Sequence, residues 1–387
     1  MPHEERWHIA IALFLSLLTY YWMVKIFLPR SAQDNAHDSS CLPRPLPDFA
    51  IAKARARPYR PFRWNYNQTM ALMALDPDWW IELESTYLER IAQRKELYRM
   101  HGRAILDALP GSEEACQEVM FAAINFLTAR YPSLFSFDPA TGKFRNKILG
   151  KEDIVNGRDA LCFLLDHVPE DFAIMQKDET TGKYHLRAGV VCSAVGWNMG
   201  EKMGMPLHEI HGEVPFYREG LQTSMDRYFE RVTCAKPIQR GSWTFEVGQP
   251  LFLQTSDPDY QHHKHFNADL KLEDVYLRVD WQTLRRLPKS RAMVFNFKAL
   301  FTPVTQFRTE PYVPQLIAKV LKEARAPFKE YKGWGNVEHR VIPALETWSE
   351  EQRRLGLVPM DWEERTLDEY PFYPGWEKEY TVGQSGI

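Results

Sequence analysis

The pattern of apolar and polar positions divides the chain into an unbroken apolar run, a polar stretch and a long patterned region. From Trp7 to Pro29 the sequence "WHIAIALFLSLLTYYWMVKIFLP" carries no ionised side chain before Lys25. A bilayer core takes about 20 apolar residues in helix. Trp7, Tyr20, Tyr21 and Trp22 lie near the ends of the run, where amphipathic rings prefer the interface. A cleaved signal peptide would begin basic and end on small residues, whereas this segment begins "PHEER" and ends "KIFLPR". Residues 1–6 are therefore read as a tail and 7–28 as a retained single-pass transmembrane helix. Residues 29–57 are polar, then basic and punctuated by proline, and read as a linker. The basic run from Lys53 to Arg63 either touches anionic lipid or is solvated.

Beyond residue 58 the pattern becomes periodic. Ile81, Tyr87, Leu88, Ile91 and Leu97 recur at helical spacing behind Asp76 or Asp78 as a cap. A second helix is predicted over "SEEACQEVMFAAINFLTARYP", with Ser112 as N-cap and Pro132 past the end. The period then changes. Two apolar runs flank a polar Asp-Glu-Thr-Thr-Gly-Lys turn in "DFAIMQKDETTGKYHLRAGVVCSAVGW", which reads as a β-hairpin. Further strands are predicted in "SWTFEVGQPLFLQ", "DVYLRVDWQTLRRLP" and "RAMVFNFKALFTPV", and helices in "TSMDRYFERVT" and "VPQLIAKVLKEAR". The last forty or so residues, rich in Trp, Tyr, Glu and Pro, read as a tail laid over the surface. The expected class is α+β: an antiparallel sheet with flanking helices over 58–340, followed by a C-terminal extension over 341–387.

Composition narrows the functional classes. Twelve tryptophans imply either an aromatic core or a pocket for a flat ligand. A net charge of −3 with both signs interspersed leaves no electrostatic footprint for nucleic acid, which is set aside as a partner. Five cysteines without a C-x-x-C describe neither a disulfide framework nor a structural zinc site, and agree with a reducing compartment. Lys25 and Arg30 follow the apolar run, against Arg6 and the terminal amine before it, a slight bias that favours the large domain on the cytosolic side of the endoplasmic reticulum or another endomembrane.

Phosphate-loop, dinucleotide, H-E-x-x-H and G-x-S-x-G motifs are all absent from the sequence. In "MGMPLHEIHGEVPFY", His208 and His211 share a face if the segment is helical, as a ligand pair or as a polar edge. "HHKH", His262 to His265, reads as an exposed loop. Asp76 and Asp78, or Asp257 and Asp259, have the D-x-D spacing that holds a divalent cation under a nucleotide-sugar diphosphate. With an N-terminal anchor and a sequon at Asn67, that would describe a lumenal type II glycosyltransferase. Both acid pairs enclose a proline and serve equally as turns or caps.

Several segments, in order, resemble one family. They are "YRPFRWNYNQTMALMALDPDWWIELESTYLERIAQRKEL", "VPEDFAIM", "VVCSAVGWNMGEKMGMPLHEIHGEVPFY", "IQRGSWTFEV", "LRVDWQTLRRLPKSRAMVFNFKAL" and "YKGW". Between Arg57 and Trp334 the chain thus resembles the haem-dependent oxidative N-demethylase-like proteins, long catalogued as a domain of unknown function. The resemblance implies a PAS-like domain holding haem b. It also implies oxygen-dependent oxidation of a small alkylamine to the dealkylated amine and an aldehyde. Electrons would come from NADPH through a flavin and iron–sulfur partner.

The same resemblance implies His211 as the axial iron ligand, its second ring nitrogen fixed by Glu213 or a turn carbonyl near Pro215. His208 is the alternative ligand or a propionate partner, and Arg240 and Lys202 either hold propionates or make ordinary salt bridges. Asp280, in "LRVDWQTL", either receives the cationic amine or pairs with Arg278 or Arg285. The family usually has Glu followed by Arg at this point, so the Asp-Trp pair implies a pocket of altered depth. A Cys192 thiolate is the competing ligation, but its neighbours Val190 and Val191 describe a buried, inert thiol. A haem-binding or small-ligand sensor without catalysis fits a PAS-like fold equally.

Overall fold

The structure, a computed structural model, describes residues 42–67, 69–260, 265–378 and 380. The expected transmembrane helix at 7–28, the first part of the linker (29–41) and His262, His263 and Lys264 lie outside these residues. Among the described residues no helix is long and apolar enough to cross a membrane.

Long alternating segments become the strands of one seven-stranded antiparallel sheet, ordered β1-β9-β11-β12-β6-β7-β2. Its centre is β9 (Ile238–Val247), β11 (Val275–Arg286) and β12 (Met293–Pro303), followed by the hairpin β6 (Asp171–Lys177) and β7 (Tyr184–Val190). The edges are β1 (Met73–Ala74) and β2 (Leu106–Ala108). The hairpin turn forms where the sequence predicts it, with Asp178 Oδ1 accepting from the Thr180 and Thr181 amides. A small antiparallel sheet of β3 (Phe135–Asp138), β4 (Lys143–Asn146) and β5 (Lys151–Ile154) stands apart, and β8 (Ala194–Val195) pairs in parallel with β10 (Phe252–Leu253).

Because side chains alternate along a strand, β11 has two distinct faces. Val275, Leu277, Val279 and Trp281 point to the first face. There they meet Trp243 and Phe245 of β9 and the helices α7 (Val313–Glu323) and α9 (Glu338–Arg354). At the β6–β7 end the same face packs Phe172, Ile174, Ala188 and Val190 against α1 (Tyr87–His101), α2 (Glu113–Arg130) and α3 (Ala160–His167). Each aliphatic or aromatic side chain so buried contributes ~1.5–3 kcal/mol. The tryptophans follow this logic: Trp334, with no exposed surface, stacks on Trp243 at 5.0 Å, and Trp281 on Tyr59 at 3.8 Å. Gly241 lets the N-terminal segment cross here, since a Cβ would stand 2.7 Å from Pro61 and 3.1 Å from the Trp281 ring.

The second face is covered by α4 (Met199–Lys202), α5 (Leu207–Ile210), a π-turn at Tyr217–Leu221 and α6 (Gln222–Arg231). Buried Arg286 of β11 fixes α6 by donating to the carbonyls of Phe229 and Val232 at its C-terminal end. The remaining helix, α8 (Ala326–Lys332), ends beside β9, where Thr244 Oγ1 donates to the Lys332 carbonyl at 2.8 Å.

Three expectations are corrected. The first long helix starts at Tyr87 rather than at the Asp76–Asp78 cap, and Leu88 on it is 55% exposed. Asp76 instead caps a single 3-10 turn, and Glu82 and Glu84 are drawn into buried ion pairs that an early helix would break. Ser112 stands at the α2 N-cap, but its hydroxyl donates back to the Leu109 carbonyl and caps nothing. The basic run Lys53–Arg63 is not uniformly solvated or lipid-facing. Arg57 and Arg60 are 7% and 3% exposed and pair with Glu82 and Glu310. As for the C-terminal residues, Trp362, Phe372 and Trp376 lie against the first-face core, as a wrapping tail would.

Candidate functional site

Chemistry on the second face gathers where β9 and β11 pass between α5 and α8. The register places Asp280 opposite Ser242 and Gln282 opposite Arg240, so all four side chains share this face. All are half-buried, as are His211 and Lys332. Apolar neighbours across β12 are Phe297 and Ala299, paired in register with Gln282 and Asp280.

His211 lies just past the last turn of α5, and its Nδ1 is 2.8 Å from the Leu207 carbonyl, four residues back. Nδ1 therefore carries the proton, and Nε2 keeps its lone pair. Burial holds the imidazole below the ordinary histidine range, and the nearby Arg240 and Lys202 charges push the same way against the Leu207 hydrogen bond. The ring is thus neutral at pH 7. It stacks on Tyr217 at 5.2 Å with an interplanar angle of 11°. The acceptor is neither Glu213, which is exposed, nor a carbonyl near Pro215. A histidine one residue beyond a helical turn reaches its own helix first.

Arg240 has no carboxylate partner among the described residues, and its buried Nε has no hydrogen-bond partner. Burial pushes its pKa down, opposed weakly by Tyr370. Lys202 likewise makes no ion pair among the described residues. His208 faces outward enough to come within 3.9 Å of the Glu209 carboxylate. Asp280 receives Arg278 Nε at 3.0 Å, so the pairing alternative raised by the sequence is present. Burial raises the Asp280 pKa, while Arg278 and then Lys332 draw it down.

Lys332, to which the sequence assigns no role, completes the group. Its Nζ is 3.3 Å from Ser242 Oγ, and burial lowers its pKa to about 8 against the pull of Asp280. Phe216, with a left-handed backbone (φ 59°), and Tyr331 stand 42% and 44% exposed nearby, and Phe216 packs on Phe328 of α8. The only signal for Lys332 in the sequence is its place in "YKGW", immediately before Gly333 at positive φ.

The competing sites are spent elsewhere. Cys192 is buried and its thiol is pushed up to about 12, with burial the largest cause. Asp78 is taken by Arg44 and Arg130, and Asp257 accepts from the Gln254 amide at 2.6 Å. Among the described residues no cluster of three His, Cys, Asp or Glu side chains could hold a metal ion.

This arrangement suits haem: a neutral imidazole with a free Nε2, an unpaired guanidinium and ammonium for two propionates, and aromatic walls. A family model described as "Haem-dependent oxidative N-demethylase, alpha subunit-like" matches residues 71–342, which include every one of these side chains and more than half of the chain. The chain belongs to that family.

Proposed function

We propose that the second-face groove holds haem b, with His211 Nε2 as the protein ligand to iron and Arg240 and Lys202 as propionate partners. One observation carries this reading: the His211 proton is committed to Leu207, and the neighbouring Arg240 Nε has no partner of its own. His208 is the second choice for either role. The domain as a whole would be a PAS-like fold, its antiparallel sheet forming one wall of the haem pocket.

When bound, haem supplies the oxygen-dependent oxidation of a C–H bond next to nitrogen, with two electrons from a donor. The products of such a reaction are the dealkylated amine, an aldehyde and water. The chain's own residues would bind and orient the amine. Asp280 presents the carboxylate that a cationic ammonium needs; burial raises its pKa, and Arg278 and Lys332 oppose that rise. Phe297 and Ala299, beside it in register, supply the apolar wall for the alkyl groups. Electrons would arrive from NADPH through a flavin and iron–sulfur partner. An anchor at 7–28, with the domain on the cytosolic side of an endomembrane, would raise the local concentration of a membrane-bound reductase.

The test is an absorption spectrum of the full chain expressed with haem supply. A Soret band that is lost in His211→Ala and retained in His208→Ala supports the assignment; the opposite pattern moves the ligand to His208. A colourless, folded protein overturns the reading. Asp280→Asn is expected to keep the Soret band and lose the amine-induced spectral shift. One observation favours a second reading, a haem-based sensor: Asp280 is already paired with Arg278 at 3.0 Å. Ligand-induced shifts without aldehyde release in the presence of a reductant would select it.

A further inference from the structure

A separate cavity of about 550 Å³ opens on the first face of the sheet, beside Val279 and Leu300. Its walls are the segment 55–60, the start of α1 and the C-terminal residues Tyr373 and Tyr380. The Ser85 amide donates to the Ala54 carbonyl at 3.0 Å and holds the first two walls together.

The charges on these walls do not balance. Arg55, Arg57, Arg60 and Arg90 line the cavity, against Glu84 and Glu310. Arg57 is neutralised by Glu82 at 3.1 Å and Arg60 by Glu310 at 2.5 Å, while Glu84 is committed to Lys298 at 3.2 Å. Arg55 and Arg90 remain, with no carboxylate in ion-pair reach among the described residues. Arg90 is half-buried, and its one hydrogen-bond partner is the Gln93 amide oxygen at 3.5 Å. Burial pushes its pKa down, opposed by the charges of Glu84, Glu89 and Asp171. Thr302 adds a hydroxyl whose oxygen already accepts from Arg60 at 3.3 Å, which leaves its proton to donate.

We propose that this cavity binds a phosphate ester, with Arg55 and Arg90 as its two charged contacts. A phosphate monoester carries about −1.5 to −2 at neutral pH and three strong acceptor oxygens, which matches two guanidiniums left without a carboxylate in ion-pair reach among the described residues. The source is either a soluble phosphate or the headgroup of an anionic lipid. The site is independent of the haem reading, since none of its charged contacts belongs to the His211 groove.

The experiment is calorimetry on the full chain in a maltoside detergent at fixed ionic strength. It is titrated with inorganic phosphate and, separately, with the soluble lipid dibutanoyl phosphatidic acid. Saturable binding is expected, roughly tenfold weaker in Arg90→Ala and in Arg55→Ala, since each removes one charge-assisted contact. Arg55 is exposed, so its variant tests the site without endangering the fold. Arg99→Ala, which removes an exposed guanidinium already paired with Glu96, should bind as the parent does. Tighter binding of the lipid assigns the headgroup, and equal or weaker binding assigns the soluble ester. Binding that survives in the Arg55→Ala/Arg90→Ala double variant overturns the proposal. So does equal loss in Arg99→Ala, or no saturable heat with either probe.

Discussion

The polar seam on one face of the central sheet and the candidate site on the other differ in how their charged groups are paired. On the first face a polar seam runs between the two aromatic and aliphatic clusters, and its members are paired. Glu82 accepts from the Arg57 amide and guanidinium and from Tyr59, and Glu170 accepts from the Glu82 amide and Asn296. Asn296 in turn accepts from Thr283, and Lys298 bridges Glu84 and the Glu82 carbonyl. On the second face, Arg240 Nε has no partner, Lys202 makes no ion pair among the described residues, and His211 uses one nitrogen of two. A closed network serves the fold, because a half-satisfied one costs stability. An open set of polar groups in a groove is stable only because water or a ligand completes it.

Breaking one side of each set should therefore give unequal results. Glu82→Ala leaves Arg57 buried beside Tyr59 without a carboxylate, and a broken buried pair typically costs about 3–5 kcal/mol. Arg240→Leu removes a cation that makes no ion pair among the described residues, so the haem-free protein should change by less than about 1 kcal/mol. Urea unfolding of both variants checks the contrast. Equal losses would mean that Arg240 has a structural partner after all.

The next contrast concerns what haem adds. A ligand bound only by the native state stabilises it by about 4 kcal/mol at a thousandfold excess over Kd. The parent protein should show such a gain between haem-free and haem-supplied preparations, and His211→Ala should show almost none. The haem-free His211→Ala protein should melt lower than the haem-free parent, because it loses the Leu207 hydrogen bond and the Tyr217 stack, so the gain from haem is compared within each protein.

The sequence made the first face legible and the second only in part. Alternation in "LRVDWQTLRR" assigns β11 and predicts that Leu277, Val279 and Trp281 pack together, since they share one face of the strand. Helical spacing misplaces the start of α1, because Ile81 in that pattern says nothing of Glu82 and Glu84 seeking Arg57 and Lys298. The resemblance singled out His211, Asp280, Arg240 and Lys202, and the register brings Asp280 and Arg240 onto one face, with Arg240 and Lys202 both near His211. It could not supply the Leu207 acceptor or Lys332. Each depends on how a turn closes against the sheet, and neither leaves a periodic trace.

The smallest expected effect sharpens the first face itself. Glu170 is buried, and that burial, with Glu82 close by, raises its pKa from an ordinary 4.5 to about 7 despite Lys298, the Glu82 amide and Asn296. A group whose pKa is raised on folding contributes its full stabilisation below its unfolded value. That contribution is lost as pH climbs through the folded value. Each tenfold change in proton affinity corresponds to about 1.4 kcal/mol. The parent should therefore lose on the order of 2–3 kcal/mol from this group between about pH 4.5 and 7. Glu170→Gln cannot titrate and still offers an oxygen to Asn296, so its stability should be flatter over the same window. Urea unfolding at half-unit pH steps measures the difference in slope. Parallel curves for the two proteins would show that Glu170 stays ionised within the seam, held there by Lys298.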